Sequence, residues 1–401
     1  MILRSGALDA NVFDRSVVKR LSGGWSPRAG ADSGKNFEKG CEGDGMQLAV
    51  CTRSLPVLSV PLAVAGAVNE VVCKGVLPDV LEVTVLLPPG SEESLLRAIT
   101  DSLRASAAAA GAHIADYLQT YAAPGAPAAD FPCTSAAAAE AHIADFPRPG
   151  EAAGLRVADF HGAVTTAVTR PVVTVSAAGH LPMVALPGTP PDPSSCAPKR
   201  ERTAADILAV GYIGLSGTAV LAAARRQELE QRFPLQLLER ADRMGKELWV
   251  LPYLTAMKNE RVCPARLTAV SEGGVYAALW RLAAKGDSRR KGLEVELPAI
   301  PVRQETIEIA DDCGINPYQM SSDGLLLAVV EDGREAAERL TERGIRAAYI
   351  GTLQEGQDKI LRNGEERQSL NRPKPDALQS YLEQMDARQM NTDGCETDEH
   401  R

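Results

Sequence analysis

The sequence is poor in aromatic side chains, which make up 4% of its 401 residues. Its packing must therefore rest on aliphatic and alanine side chains rather than on large rings. It also lacks paired cysteines. The eight cysteines, at positions 41, 51, 73, 133, 196, 263, 313 and 395, contain no CxxC pair, which argues against a zinc ribbon or a dithiol redox site and reads as reduced thiols. Positive charge is not in excess: the net charge is −9, and no basic stripe interleaves with aromatics, so nucleic acid is not the expected partner. Long hydrophobic runs are missing too. The longest, Leu55 to Val68, has about 14 residues and two prolines, too short and too broken to span a bilayer. Met1 to Asp14 shows no charged-then-apolar signal pattern. The expectation is a cytoplasmic protein with neither a membrane nor a nucleic-acid partner.

What is present fits a folded chain of two or three domains, at about 150 residues per domain. Hydrophobic residues make up 45% and charged residues 24%, ordinary values for globular proteins. Asp14 to Leu21 reads as a short amphipathic helix, followed by a Gly-rich, charged loop to Gly45. Gln47 to Cys51 is a candidate strand, Leu62 to Lys74 a helix of small residues, and Leu81 to Leu87 a strand ended by Pro-Pro-Gly. Ser91 opens a helix to Gly111, with Glu92 and Glu93 in the first turn where acids complement the helix dipole.

Residues 112–153 are the oddest stretch. AAAAGAHIADY (107–117) returns as AAAAEAHIADF (136–146), and further ADF copies lie at 129–131 and 158–160. The pairs His113/Asp116 and His142/Asp145 have an HxxD spacing that could hold a metal, but two ligands in a repeated tract are a weak signal. The reading taken is a tandem duplication that lengthened a surface excursion, with no metal site. Val172 to Ser176 then resumes as a β-branched strand, and Val83 to Leu87 together with Val172 to Ser176 read as apolar on both faces.

The proline-rich run from 181 to 203 is the best domain boundary. Beyond it the pattern is cleaner: a strand at Asp206 to Val210, a helix from Ser216 to Arg232 restarted at Pro234, and a helix capped by Ser271 and running to Lys285. Then come a strand at Leu293 to Leu297, a helix at Arg303 to Cys313, a strand at Gly324 to Val330 and a helix at Arg334 to Arg343. A strand at Arg346 to Ile350 and a hairpin between Lys359 and Leu370, turned at Asn363-Gly364, complete the domain. Residues beyond Arg372 read as a polar, mobile tail.

Two motifs join a strand to a helix through glycines: Gly211 to Thr218 (GYIGLSGT) and Ser271-Glu272-Gly273-Gly274. The second can point backbone N–H groups and a positive helix end at an anion; each is equally compatible with a tight turn. Tyr276 and Trp280 read as core positions. Together with DILAVGYIGLSGTAVLA (206–222), SEGGVYAALWRLA (271–283), the stretch 297–330 and GIRAAYIGTL (344–353), the chain resembles the aminoimidazole ribonucleotide (AIR) synthetase superfamily, and within it most closely the hydrogenase maturation factors. In the first half, AVNEVVCKGVLPDVLEVTVLLPPG (67–90) and FHGAVTTAVTRPVVTVSAAG (160–179) carry a weaker likeness.

The resemblance implies a mixed α/β and α+β protein of two domains. The first, 1–180, is a dimerising β-barrel/α domain carrying the insertion 112–153; the linker is 181–203; the second, 204–371, is α+β, with the tail at 372–401. It implies a homodimer, with ATP and Mg2+ in a groove between domains and phosphoryl transfer from ATP. The binding positions it implies are Asn69, Glu70, His161, Ser271, Glu272, Gly273 and Gly274; no catalytic residue is assigned. Several family acids have other residues in their place. Ala31 to Asn36 keeps Asp32 alone of a pair, Thr52-Arg53-Ser54 puts a base where an acid is expected, and Asp159-Phe160-His161-Gly162-Ala163 keeps the histidine without the glutamate. Ala269 replaces an aspartate, and Cys395 lacks the terminal Pro-Arg context of the maturation factors. Two readings follow. One is ATP-dependent activation of a small amide, carbamoyl or phosphate-bearing substrate; the other is a non-catalytic dimeric scaffold or nucleotide- or metabolite-binding relative.

Overall fold

The computed structural model describes residues 6–7, 14–21, 47–54, 60–122, 155–179, 181–182, 205–284 and 292–396. The loop before Gln47, the repeat copy at 136–146 and most of the 181–203 linker lie outside the described residues. The chain divides into two compact units: Met1–Arg202 with Trp249–Leu267, and Thr203–Leu248 with Thr268–Arg401.

The first unit is built on a five-stranded sheet in the order β1-β5-β4-β6-β2, with β1 Gly6–Ala7, β2 Gln47–Ser54, β4 Val80–Leu87, β5 Arg156–Val164 and β6 Val172–Gly179. Strands β4 and β5 run parallel, while the other pairings are antiparallel. A two-stranded ribbon pairs β3 Val76–Leu77 with β7 Leu181–Pro182. Helix α1, Val60–Cys73, packs on β2 and β6, and helix α2, Glu93–Ala122, packs on α1. Alanine, valine and glycine dominate α1, so its backbone can come close to the sheet; eleven of its fourteen residues are buried.

The two-faced apolar reading of β4 and β6 is corrected here. Burial alternates strictly along β4, with Val83 and Val85 inside and Glu82 and Thr84 half-exposed, and β6 alternates likewise up to Ala177. The register places Thr84 opposite Thr174 and Glu82 opposite Ser176, so one face is apolar and the other mixed. Helix α2 also corrects the insertion boundary. It continues through 112–122 because the alanine-rich repeat copy is a strong helix former, and Ile114 and Tyr117 are buried one turn apart. Its first turn is fastened by Glu93, which accepts hydrogen bonds from Arg15 Nε (2.6 Å), Ser16 Oγ (2.7 Å) and Arg97 Nη2 (2.7 Å). The Arg15 bond leads the causes that hold its carboxyl well below the usual range.

The second unit has a seven-stranded sheet, β14-β13-β10-β12-β8-β11-β9. Its strands are β8 Ala205–Val210, β9 Arg266–Ala269, β10 Gly292–Glu296, β11 Leu326–Val330, β12 Ala347–Gln354, β13 Lys359–Asn363 and β14 Glu366–Ser369. The helices in chain order are α3 Leu215–Ala224, α4 Arg226–Leu229, α5 Leu235–Met244, α6 Leu251–Asn259 (in the first unit), α7 Gly274–Ala284, α8 Gln304–Asp312, α9 Gly333–Glu342 and α10 Ala377–Glu396. Strand β11 is buried at all five positions, which explains why its sequence is an unbroken apolar run rather than an alternation. Helix α7 supplies Val275, Ala278, Leu279 and Leu282 to one core with Ile207, Leu327 and Val329; α9 packs on β12 and β8.

Two sequence expectations change in this unit. The helix expected from Ser216 to Arg232 breaks at Arg225 (φ −112°, ψ 26°). There the guanidinium bonds to Asp312 Oδ2 (2.8 Å), Cys313 Sγ (3.2 Å) and Glu228 Oε2 (2.7 Å from Nε). The expected mobile tail contains α10 instead, because Leu378 and Leu382 fall on one helical face and are buried, with Tyr381 half-buried between them. Among the described residues, no helix is long and apolar enough to cross a membrane.

Candidate functional site

The glycine turn between β9 and α7 is the feature with the most specific geometry. Gly273 (φ 75°) and Gly274 (φ 63°) both occupy the left-handed region. The Ser271 carbonyl closes the turn by accepting the N–H of Gly274 (3.1 Å) and anchors it by accepting the N–H of Ser322 (3.2 Å). A Cβ on Gly274 would lie 2.5 Å from the Tyr318 carbonyl oxygen and 2.7 Å from that of Met320, so only glycine fits. Tyr318 is held there by stacking on Tyr276, with ring centroids 5.6 Å apart.

The turn presents the Gly273 N–H at the start of an 11-residue helix, the expected place for an anion. That N–H donates to Asp376 Oδ2 at 2.6 Å, and Ser321 Oγ donates to the same oxygen at 2.8 Å. Asp376 is 9% exposed. Its other oxygen accepts the N–H groups of Leu378 (2.9 Å) and Gln379 (3.3 Å), capping α10. A carboxylate is therefore seated where the sequence placed an anion. Of the four residues assigned in this turn, Ser271 contributes its carbonyl, Gly273 its donor and Gly274 its conformation. Glu272 is exposed.

The first-unit positions do not converge. Asn69 is buried at 2% exposure, and its Oδ1 accepts the N–H of Val250 at 3.1 Å, immediately before α6. That bond ties α1 to the start of α6. Glu70, next to it on α1, points to the surface and pairs with Lys74 at 3.4 Å. His161 is exposed on β5, in register with Thr84 on the mixed face of the sheet. His113 stands beside Trp249, ring centroids 5.7 Å apart; His142 and Asp145 lie outside the described residues.

GYIGLSGT is occupied internally. The N–H of Gly214, the cap of α3, donates to Ser322 Oγ (2.8 Å), the N–H of Gly217 donates to the Ser321 carbonyl (3.1 Å), and Ser216 Oγ accepts the N–H of Asp323 (2.9 Å). A Cβ on Gly217 would meet the Met320 side chain at 2.4 Å. This motif is a clasp between α3 and the 320–323 turn. Ser321, Ser322 and Asp376 were not assigned any role from the sequence. For Asp376 the signal was available: an aspartate preceding Ala377, with Leu378, Tyr381 and Leu382 at helical spacing, is a helix start.

With that geometry in place, the second unit's lineage can be assigned, since residues 206–362 match the family described as AIR synthase related protein, C-terminal domain. Residues 206–362 belong to that family. No curated protein matches it. Among solved structures it is similar to the Escherichia coli hydrogenase maturation protein HypE, at 17% identity and TM-score 0.59, covering 92% of this chain and 98% of that one. It is likewise similar to HypE solved in complex with ATP (15%, TM-score 0.57, 94% and 99%) and to the HypE–HypF complex (18%, TM-score 0.53, 82% and 90%). At these identities the likeness is one of fold. That likeness of fold covers nearly the whole chain.

Proposed function

We propose that this chain is an oxyanion-binding member of the AIR synthase related superfamily, one that takes a nucleotide or metabolite phosphate at the Gly273 turn without efficient magnesium-dependent phosphoryl transfer. The observation that carries this reading is the buried carboxylate of Asp376 accepting from Gly273 N–H and Ser321 Oγ, which identifies these donors as suited to an anionic oxygen. Phosphoryl transfer from ATP needs carboxylates to hold magnesium as well as donors for the phosphate. Among the described residues no three His, Cys, Asp or Glu side chains converge. Asn69 Oδ1 accepts the N–H of Val250, and Glu70 forms an exposed surface pair with Lys74. In the sequence Arg53 and Ala269 stand where the resemblance implies acids, which supports weak magnesium binding, and no chemical step is derived through the metal.

Losing two charged contacts at about 1.5–3 kcal/mol each weakens binding by about 3–6 kcal/mol, roughly a hundredfold to ten-thousandfold. Calorimetry with ATP, with and without magnesium, should accordingly show millimolar-range binding that magnesium does not strengthen, and no ADP release. Micromolar, magnesium-dependent binding with turnover would overturn the proposal. That result would favour the second reading, ATP-dependent activation of an amide, carbamoyl or phosphate-bearing substrate, which the fold likeness to HypE in complex with ATP supports.

The proposal includes a homodimer formed through the mixed face of the first unit's sheet. On that face Leu86 and Val172 pair across β4 and β6 and are only half-buried in the single chain, beside Thr84 and Thr174. Apolar side chains in such a row are commonly covered by a second copy. Sedimentation equilibrium at micromolar concentration should give twice the chain mass, and Leu86→Glu should shift it to the monomer. A wild-type monomer would remove this part of the proposal.

A further inference from the structure

We draw no further inference here: the strongest candidate, the strip of half-buried aromatic rings along α7 formed by Tyr276, Trp280 and Tyr318, with Lys359 Nζ 4.8 Å from the centre of the Trp280 ring, carries nothing because nothing in the structure shows what covers it.

Discussion

Gly274→Val should unfold or severely weaken the second unit, lowering its stability by about 3–5 kcal/mol. Two costs combine. A left-handed backbone is unfavourable by about 1–2 kcal/mol for a residue with a Cβ, and a β-branched one is worse. The added carbon would also meet two backbone oxygens, of Tyr318 at 2.5 Å and Met320 at 2.7 Å, which no side-chain rotation can move away. Overpacking of that kind typically adds about 1–3 kcal/mol. Gly314→Ala is the control: its φ of 65° is similar, but nothing lies within 4 Å of the added carbon, so it should show the backbone cost alone. Urea denaturation followed by the fluorescence of Trp280, with Trp25 and Trp249 replaced by Phe in every variant, would measure both. If Gly274→Val stays within about 1 kcal/mol of Gly314→Ala, the close approach of the 318–320 segment is wrong.

Arg225→Met should cost the same unit about 3–5 kcal/mol, because it removes one member of a buried ion pair and leaves the other behind. The side chains of Arg225 and Asp312 are each 9% exposed and lie 2.8 Å apart. Arg232, the other partner of Asp312, is 59% exposed and holds it less firmly. Burial opposes the charge on Asp312, but hydrogen bonds from Arg232 and Arg225 outweigh it and keep its carboxyl below the ordinary range. The sign of the pH dependence follows. A carboxyl with a depressed folded pKa stabilises fully above its unfolded value of about 3.9, and the contribution fades as the pH falls through the folded value. The gap between wild type and Arg225→Met should accordingly be full at pH 7 and shrink below about pH 4. The double variant Arg225→Met/Asp312→Leu should recover most of the loss, since no charge is then stranded. A gap that stays constant down to pH 3, or a double variant no more stable than the single one, would show that Arg225 acts through packing alone.

The elements that were legible in the sequence are those in which local preference and burial agree. Strands β8 and β11 announce themselves as apolar runs buried on both faces, and β13 and β14 as a hairpin closed by Asn363-Gly364. The breaks were illegible where a long-range partner overrides propensity. Nothing near Arg225 says that a helix stops there; Asp312, 87 positions away, decides it. The same holds for Asn69. The family resemblance implies a ligand contact for it, and the structure shows its Oδ1 accepting the buried N–H of Val250, 181 positions away.

From the sequence alone come the two-part α/β organisation, the family likeness of the second half, and the glycine-built turn at Gly273. Hydrophobic periodicity, glycine conformational freedom and helix polarity are properties of short segments, and each leaves a local trace. Only the tertiary structure decided what that turn holds. It also turned an apparent tail into a capped helix, and separated Asn69, Glu70 and His161 into an internal tie, a surface pair and an exposed position on the sheet. Those outcomes depend on which distant donor or acceptor each polar group meets. A buried carboxylate must find its N–H groups wherever the fold brings them, and sequence separation carries no record of that meeting.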